Sequence, residues 1–240
     1  MKLDILVIMA HPDDAELSCS GTIISSVKMG LKVGMIDLTK GELGTRGNET
    51  IRIKEANDSA KLMQVEFRDN LNLKDSLFKI SNKNKLKIVQ KIRQYRPNIV
   101  ITNSIKDRHP DHEKASKLVN EACFISGLRK FKSMQDDVYQ ESWRPEITLF
   151  SIQDSYVEPD FIIDVSKYFK DKLKTISCFK SQFYDSKSIE PKSYISSKHF
   201  MKFIESRSIE FGHAIGVDHG EGFKSSKKIR INNIYNILGR

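Results

Sequence analysis

The chain of 240 residues is 39% hydrophobic and 30% charged, and its formal net charge is +9. Chains of this length can bury a sizeable core, so we expect one domain over residues 1–240. The positive charge suggests an acidic partner, and because no zinc-finger, RRM or KH pattern accompanies it, we expect a small anionic molecule rather than nucleic acid.

The first 48 residues predict a parallel βαβ unit and a loop. Strands are expected at 3–9 and 33–38, with a helix at 15–29 that ends before Gly30. A helix of this length between two strands indicates a right-handed crossover. Residues 40–48 contain three glycines, which permit close backbone approach to a ligand. We expect an active-site loop there, with an ordinary surface loop as the alternative.

The remaining elements follow from hydrophobic periodicity. Helices are predicted at 49–63, 83–95, 112–125, 167–179 and 200–211, and strands around 71–73 and at 98–102, 147–152 and 161–165. Residues 75–82, 129–143, 184–198 and the basic tail after Phe223 show no clear period. Arg52 lies in the first turn of its helix, where a cation opposes the dipole, so it either points to solvent or contacts an anion.

The segment Ala10-His11-Pro12-Asp13-Asp14-Ala15-Glu16 joins the first predicted strand to the first helix. In open α/β sheets, ligands bind in the crevice at this kind of junction. One imidazole and two carboxylates crowded there would repel and desolvate one another unless they bind a cation. Zn²⁺ takes histidine nitrogen and aspartate oxygen, and a catalytic zinc site keeps one position for water.

A second polar segment follows the predicted strand at 98–102. It places His109 and His112 three residues apart, with Asp111 between them. Each segment alone is weak support for a metal site, since isolated histidines are common at surfaces. Because both follow the carboxyl end of a strand, together they predict one site built from two distant parts of the chain.

Several segments resemble the LmbE/PIG-L family of zinc-dependent N-acetylglucosamine deacetylases. They are His11-Pro12-Asp13-Asp14, residues 37–47, Asp107-Arg108, His109-Pro110-Asp111-His112, Phe179-Lys180-Ser181-Gln182-Phe183 and Glu221-Gly222-Phe223. Asp107-Arg108 and the last two of these segments look like the bacillithiol-biosynthesis branch, which acts on N-acetyl-alpha-D-glucosaminyl L-malate. The resemblance implies a Rossmann-like three-layer α/β fold with a mostly parallel sheet and helices on both faces, and a homo-oligomer (trimer or hexamer).

The resemblance also implies the roles of the residues at the metal. His11, Asp14 and His112 would hold one Zn²⁺ per chain, and other divalent metals are alternatives. Asp13 would act as general base, taking a proton from water. From the sequence alone, the roles of Asp13 and Asp14 could be exchanged.

His109 would lie near the metal without binding it, and would stabilise the oxyanion or protonate the leaving amine. Asp111 would hydrogen-bond His109 and keep it charged, or cap the following helix, or do both.

Substrate contacts are implied at four further positions. Arg52 and Arg108, with Arg46 as a weaker third, would receive substrate carboxylates. Gln182 would hydrogen-bond sugar hydroxyls, or would cap a helix C-terminus.

Two alternatives to this function remain open. One is a deacetylase of another N-acetylglucosamine-containing small molecule or of chitin oligomers. The other is a non-catalytic Rossmann-like nucleotide-binding protein, which the missing GxGxxG pattern and the surplus of histidine and aspartate disfavour. His213 and His219 are expected to be surface residues rather than ligands.

Cysteine use and the N-terminus bear on the compartment. Cys19, Cys123 and Cys178 are odd in number and widely spaced, which favours reduced thiols that pack in the core. Residues 1–4 do not form a signal peptide, and no stretch approaches about 18 apolar residues. We therefore expect a cytoplasmic protein that does not bind membranes.

Overall fold

A seven-stranded sheet forms the centre of the computed structural model, which describes residues 1–235. The strands are β1 (Ile5–Met9), β2 (Val33–Thr39), β3 (Phe67–Leu73), β4 (Ile99–Thr102), β5 (Met134–Gln135), β6 (Val138–Tyr139), β7 (Ile147–Ser151), β8 (Phe161–Asp164) and β9 (Gly220–Ser225). The helices are α1 (Asp14–Lys28), α2 (Glu49–Met63), α3 (Asn82–Tyr95), α4 (Pro110–Ser126), α5 (Phe169–Ser177) and α6 (Lys198–Ile215). Strands β5 and β6 form a separate hairpin.

The strand order of the sheet is β3-β2-β1-β4-β7-β9-β8. The first five strands are parallel, and β9 runs antiparallel to both of its neighbours. The chain moves outward from β1 to β3 and then returns to the other side of β1 to form β4. This reversal is a topological switch point, where a crevice opens beyond the carboxyl ends of the two strands.

Both faces of the sheet are covered, which explains why β1 is apolar along its whole length. Leu6 and Ile8 pack in the cluster that contains the apolar residues of α3 and α4. Val7 and Met9 point to the opposite face and pack against Cys19 and other residues of α1. The alternation follows from the two-residue period of a strand, and the mostly parallel sheet with helices on both faces confirms the predicted fold class.

Apart from shifts in the ends of elements, the structure differs from the predicted elements in three places. The region 129–143, expected to be irregular, contains the β5–β6 hairpin. The predicted helix at 167–179 is a 3₁₀ turn, Ser166–Tyr168, followed by the shorter α5. Strand β9 was not predicted because its glycines and charges hide the strand pattern. Residues 236–240 of the predicted tail lie outside the described residues.

Strand β9 supports a break in helix α1. Cys19 has non-helical angles (φ −147°, ψ 16°), which interrupt the helix after its first turn. The buried Glu221 carboxylate accepts hydrogen bonds from the backbone N–H groups of Gly21 (3.0 Å) and Thr22 (2.7 Å) and forms a 2.6 Å ion pair with Lys172. Glu221 thus caps the second part of α1, which begins after Cys19, and fixes the first turn of that part against the sheet.

No helix among residues 1–235 combines the length and the apolar character that a bilayer span requires. The thiols of Cys19 and Cys123 are buried and that of Cys178 is half-buried, all three unpaired.

The close contact at Gly21 predicts that Gly21→Ala destabilises the protein. A Cβ at this position would lie 2.8 Å from Cβ of Val165 and 3.1 Å from Oε1 of Glu221. Overpacking of this kind costs about 1–3 kcal/mol, which exceeds the gain in helix propensity of about 1 kcal/mol. Denaturant unfolding measures the difference, and Ser25→Ala on the same helix should stay within about 0.5 kcal/mol of the parent. An unchanged midpoint for Gly21→Ala would contradict the prediction.

Candidate functional site

The two polar segments meet at the switch point of the sheet. His11 follows β1 and precedes α1, while His109 is the N-cap of α4, which carries His112 in its first turn. The ring centroid of His11 lies 4.7 Å from that of His109 and 5.5 Å from that of His112. One ring nitrogen from each of the three histidines lies within 4.8 Å of the other two. Residues separated by about one hundred positions therefore share one site.

Asp14 lies between the imidazoles of His11 and His112. Its Oδ2 is 3.4 Å from Nδ1 of His11, and its Oδ1 is 3.0 Å from Nε2 of His112. All three residues are buried. Burial would raise the pKa of Asp14, but the two imidazoles outweigh it and hold the pKa well below its usual range. The carboxylate is therefore ionised.

A carboxylate holds the far nitrogen of each of these two imidazoles. Nε2 of His11 lies 3.1 Å from Oδ1 of Asp75, and Nδ1 of His112 lies 2.8 Å from Oδ2 of Asp107. Burial alone would lower the pKa of His112, but Asp14 and Asp107 raise it to about 9. Metal-binding histidines usually show this arrangement, in which a carboxylate fixes the tautomer and the ring orientation.

Asp13 points away from Asp14, toward Arg52. The Arg52 guanidinium donates a 3.0 Å hydrogen bond to Oδ2 of Asp13 and a 2.8 Å bond to the carbonyl of Pro12. The backbone of Asp13 has φ 122°, which side chains rarely adopt and which is typical of strained functional positions. Burial raises the pKa of Asp13 to about 7, although Arg52 opposes the shift. Of the two aspartates, Asp14 is the one that contacts the imidazoles.

The expected contact between Asp111 and His109 is wrong in detail. Nδ1 of His109 accepts a 3.2 Å hydrogen bond from the backbone N–H of Asp111, so His109 itself caps the helix. Burial and the neighbouring His11 and His112 lower the pKa of His109 to about 4. His109 is therefore neutral at pH 7, with its proton on Nε2, because Nδ1 is an acceptor.

The Asp111 carboxylate has other partners. It accepts a 2.8 Å hydrogen bond from the backbone N–H of Ser76, pairs with Lys114 at 2.8 Å, and lies 3.4 Å from Nε2 of His11. It neither charges His109 nor caps α4, because its side chain faces His11 and the loop after β3.

A cavity of about 290 Å³ opens over the histidines, and all four predicted substrate-binding residues line it. Arg52 and Arg46 are buried and already bonded to the protein, Arg52 to the carbonyl of Gly41 and Arg46 to that of Phe183. A Cβ at Gly41 would lie 1.9 Å from Nη1 of Arg52. Gly41 of the 40–48 loop therefore makes room for the side chain of Arg52, and not for a ligand.

The side chains of Arg108 and Gln182 differ in how far the protein already engages them. Arg108 is 46% exposed, lies 4.3 Å over the ring of Tyr194, and bonds Asp154 through Nε at 3.3 Å. Gln182 lies beyond the end of α5 and donates a 2.8 Å bond to the carbonyl of Arg46, so it does not cap that helix. Their contacts with substrate stay predictions.

Four residues at the site were not predicted to act there. Each follows the carboxyl end of a parallel strand: Asp75 after β3, Asn103 and Asp107 after β4, and Gln153 after β7. The first polar residues after every parallel strand would have been the signal, since the carboxyl ends of these strands line one crevice. His219, expected to be a surface residue rather than a ligand, is half-buried and stacks on Phe169 with ring centroids 3.6 Å apart.

The donor set fits a divalent metal ion. Two imidazole nitrogens and one carboxylate oxygen match catalytic zinc sites, in which three protein ligands leave a fourth position for water. The fold and the site together define a Rossmann-like α/β protein with a buried histidine–carboxylate centre at its switch point.

Comparison with known proteins agrees with this class. The PIG-L family, described as GlcNAc-PI de-N-acetylase, matches residues 6–123. Diacetylchitobiose deacetylase of Thermococcus kodakarensis is 28% identical over 75% of this chain and 70% of its own. A probable N-acetyl-alpha-D-glucosaminyl L-malate deacetylase 2 of Bacillus anthracis is 23% identical over 75% of this chain and 81% of its own.

Among solved structures, the conserved protein TT1542 from Thermus thermophilus is 30% identical, with a TM-score of 0.85 over 97% of this chain and 98% of that one. The chain belongs to the PIG-L family of de-N-acetylases. Its membership confirms the family-level part of the resemblance seen in the sequence.

The Asp107–His112 contact predicts a measurable change in Asp107→Asn. Loss of the carboxylate should lower the pKa of His112 from about 9 by about one to three units. NMR titration of the metal-free protein measures the shift. Asp136→Asn, at an exposed turn of the β5–β6 hairpin, is the control and should leave His112 unchanged.

The same substitution has a pH-dependent effect on stability. A raised histidine pKa stabilises the fold fully below its unfolded value, about 6.5, and the contribution is lost as the pH rises through about 9. The stability deficit of metal-free Asp107→Asn should therefore be larger at pH 6 than above pH 9. A deficit that does not change with pH would contradict this assignment.

Proposed function

We propose that the protein is a metal-dependent hydrolase that removes the acetyl group from an N-acetylglucosaminyl conjugate, with Zn²⁺ as the metal. One observation carries the proposal. His11 and His112 each direct one ring nitrogen toward Asp14 and the other toward a buried carboxylate. Burying three such groups without a cation would be costly, and this pattern is the one that surrounds metal-binding histidines.

His11, Asp14 and His112 would hold the ion. His109 is less suited, because its second nitrogen accepts a backbone N–H instead of bonding a carboxylate. A bound zinc polarises an amide carbonyl and lowers the pKa of a water molecule to about 7.

Asp13 is the general base of the proposed reaction. Its pKa of about 7 lies near neutral pH, where a base combines a sufficient ionised fraction with useful basicity. Arg52 fixes the carboxylate at 3.0 Å and keeps it turned away from Asp14. Asp13 would take a proton from the attacking water and return it to the departing amine nitrogen.

His109 would donate a hydrogen bond to the oxyanion. Its proton lies on Nε2, because Nδ1 accepts from the backbone. Its pKa of about 4 keeps it neutral, so it would stabilise the developing negative charge as a neutral donor and would not serve as the acid that protonates the amine.

For the substrate itself, we propose N-acetyl-alpha-D-glucosaminyl L-malate. Among the arginines that line the cavity, only Arg108 leaves its terminal amino groups without a partner in residues 1–235. A guanidinium presented in this way is suited to a carboxylate, and malate would supply one. A relative with this substrate in its name matches most of the chain.

N,N′-diacetylchitobiose is the second candidate. The relative named for its deacetylation has the higher identity, 28% against 23%. Its neutral second sugar would use the ring of Tyr194 at the cavity wall instead of the charge of Arg108.

Asp13→Asn should separate metal binding from turnover. The amide keeps the shape of the side chain but accepts no proton from water, so kcat should fall about 10²–10⁴-fold while the zinc content stays at the parent level. His112→Ala is the contrasting variant and should lose the metal. Metal analysis and release of free amine measure the two effects. Normal zinc in His112→Ala, or lost zinc in Asp13→Asn, would disprove the assigned ligands.

A substrate panel tests the function and the aglycone. We expect release of free amine from the malate conjugate at a higher kcat/KM than from diacetylchitobiose or free N-acetylglucosamine. Arg108→Met should lower kcat/KM about tenfold for the malate conjugate, the lower end for a charged hydrogen bond at a half-exposed site, and less than about threefold for the neutral sugars.

Each outcome of the substrate panel supports or rejects one of the assignments. Equal turnover of all three compounds, or an equal effect of Arg108→Met on all three, would reject the malate assignment. Preferred turnover of diacetylchitobiose would establish the second candidate, and no amine from any compound would reject the proposed function.

A further inference from the structure

Two neutral amides hold the carboxylate of Asp14. Nδ2 of Asn103 donates to Oδ2 at 2.9 Å, and Nε2 of Gln153 donates to Oδ1 at 3.2 Å. The backbone N–H of His11 adds a 2.9 Å bond to Oδ2. We call Asn103 and Gln153 the carboxamide clamp.

The side chain of Asn103 continues the hydrogen bonding between β1 and β4 beyond the last paired residues. The last paired residues are Ile8 and Thr102, and Oδ1 of Asn103 then accepts a 2.8 Å hydrogen bond from the N–H of Ala10. Since the oxygen of the amide faces a donor and the nitrogen faces a carboxylate, only one orientation satisfies both contacts. The side chain of Asn103, 1% exposed, thus ties Asp14 to the end of the first strand.

Gln153 approaches from the end of β7 and borders the cavity. It shares Oδ1 of Asp14 with Nε2 of His112, so it contacts the oxygen that faces this imidazole. Oε1 of Gln153 is buried and has no partner among the protein atoms of residues 1–235. A buried amide oxygen without a partner costs free energy, so this contact of Gln153 with Asp14 is gained at a cost to stability.

Amides suit this position because they carry no charge. A lysine or arginine beside Asp14 would fix the carboxylate equally well but would repel a divalent cation. An amide donor orients the carboxylate and leaves the full charge of Asp14 to the ion. The two amides also hold different oxygens, which restricts rotation of the carboxylate plane.

We propose that Asn103 and Gln153 are positioning residues that orient Asp14 for metal binding, an inference that rests on the proposed function of the site. Asn103 and the backbone N–H of His11 both donate to Oδ2, whereas Oδ1 accepts from a single amide, Gln153, and faces His112, so Oδ1 would be the oxygen available to a bound ion. Gln153 fixes the direction of Oδ1 from the side of the cavity.

The test compares zinc affinity in four proteins. Gln153→Met removes the donor and keeps an unbranched side chain of similar length. Asn103→Leu removes the donor to Asp14 together with the acceptor for Ala10, keeps a side chain of similar size and adds no charge. Gln140→Met is the matched control, because it also loses hydrogen bonds but Gln140 follows the β5–β6 hairpin and does not line the cavity over the histidines.

Competition with a chromophoric chelator at pH 7.5 measures the zinc dissociation constant of the full chain. We expect Gln153→Met and Asn103→Leu to weaken zinc binding about 10–100-fold, the range found for groups that orient metal ligands. Gln140→Met should stay within about twofold. At saturating zinc, kcat of Gln153→Met should fall while KM changes less than about twofold.

A double-mutant cycle with Asp14 distinguishes positioning from general destabilisation. Asp14→Ala removes a ligand and binds zinc more weakly, so this background is measured with a lower-affinity chelator at higher zinc concentrations. The amide then has no carboxylate to orient, and Gln153→Met should change zinc affinity less than about twofold. An equal fold loss in both backgrounds overturns the proposal, as does a Gln153→Met chain that binds zinc like the parent. A parent chain that binds no zinc overturns both the proposed function and the clamp, whereas tight binding without an effect of Gln153→Met overturns the clamp alone.

Discussion

The site depends on the concentration of negative charge among buried side chains beneath the cavity. Four buried carboxylates surround two imidazoles: Asp14, Asp75, Asp107 and Asp111 around His11 and His112. Buried charges cost several kcal/mol each unless they are paired. In the metal-free chain, protons on the imidazoles supply the pairing, which is why the pKa values of both histidines are raised. Under the proposed function, a divalent ion would replace the protons that face Asp14, so the same groups would serve the fold and the chemistry.

The topology of the sheet brings these groups together. Parallel strands direct their carboxyl ends to one edge, and at the switch point β1 and β4 continue in opposite directions. Where the two strands diverge, backbone groups such as the N–H of Ala10 have no strand partner, and the side chain of Asn103 accepts this hydrogen bond instead. Loops after β3 and β7 reach the same edge and add Asp75 and Gln153. The crevice therefore follows from the strand order, and the strand ends supply its polar wall.

The sequence predicted the parts of the site that local patterns encode. Apolar runs marked β1 and β4, and His11 and His112 marked their ends. Asp75 and Gln153 carried no local signal, because their roles depend on which strand neighbours which. Strand β9 was missed for the same reason: it is held by its pairing with β7 and β8 and not by an apolar pattern of its own. The predicted contacts of Asp111 were wrong because helix α4 begins at Pro110, two residues before His112. Asp111 therefore lies within the helix, and its carboxylate faces His11.

Net charge and local charge carry different information in this protein. The chain is strongly basic, yet Arg52 at the cavity is engaged by Asp13, and Arg46 by backbone and hydroxyl groups of the 183–188 segment. Charges on the outer surface are screened over about 8–10 Å and act weakly on a ligand in the crevice. Arg108, stacked on Tyr194, is the cation whose terminal amino groups stay free of protein partners within residues 1–235. The residue that bears on the charge of the substrate is therefore Arg108 at the cavity wall. The surplus of lysines elsewhere on the chain is equally compatible with a charged substrate and with a neutral sugar.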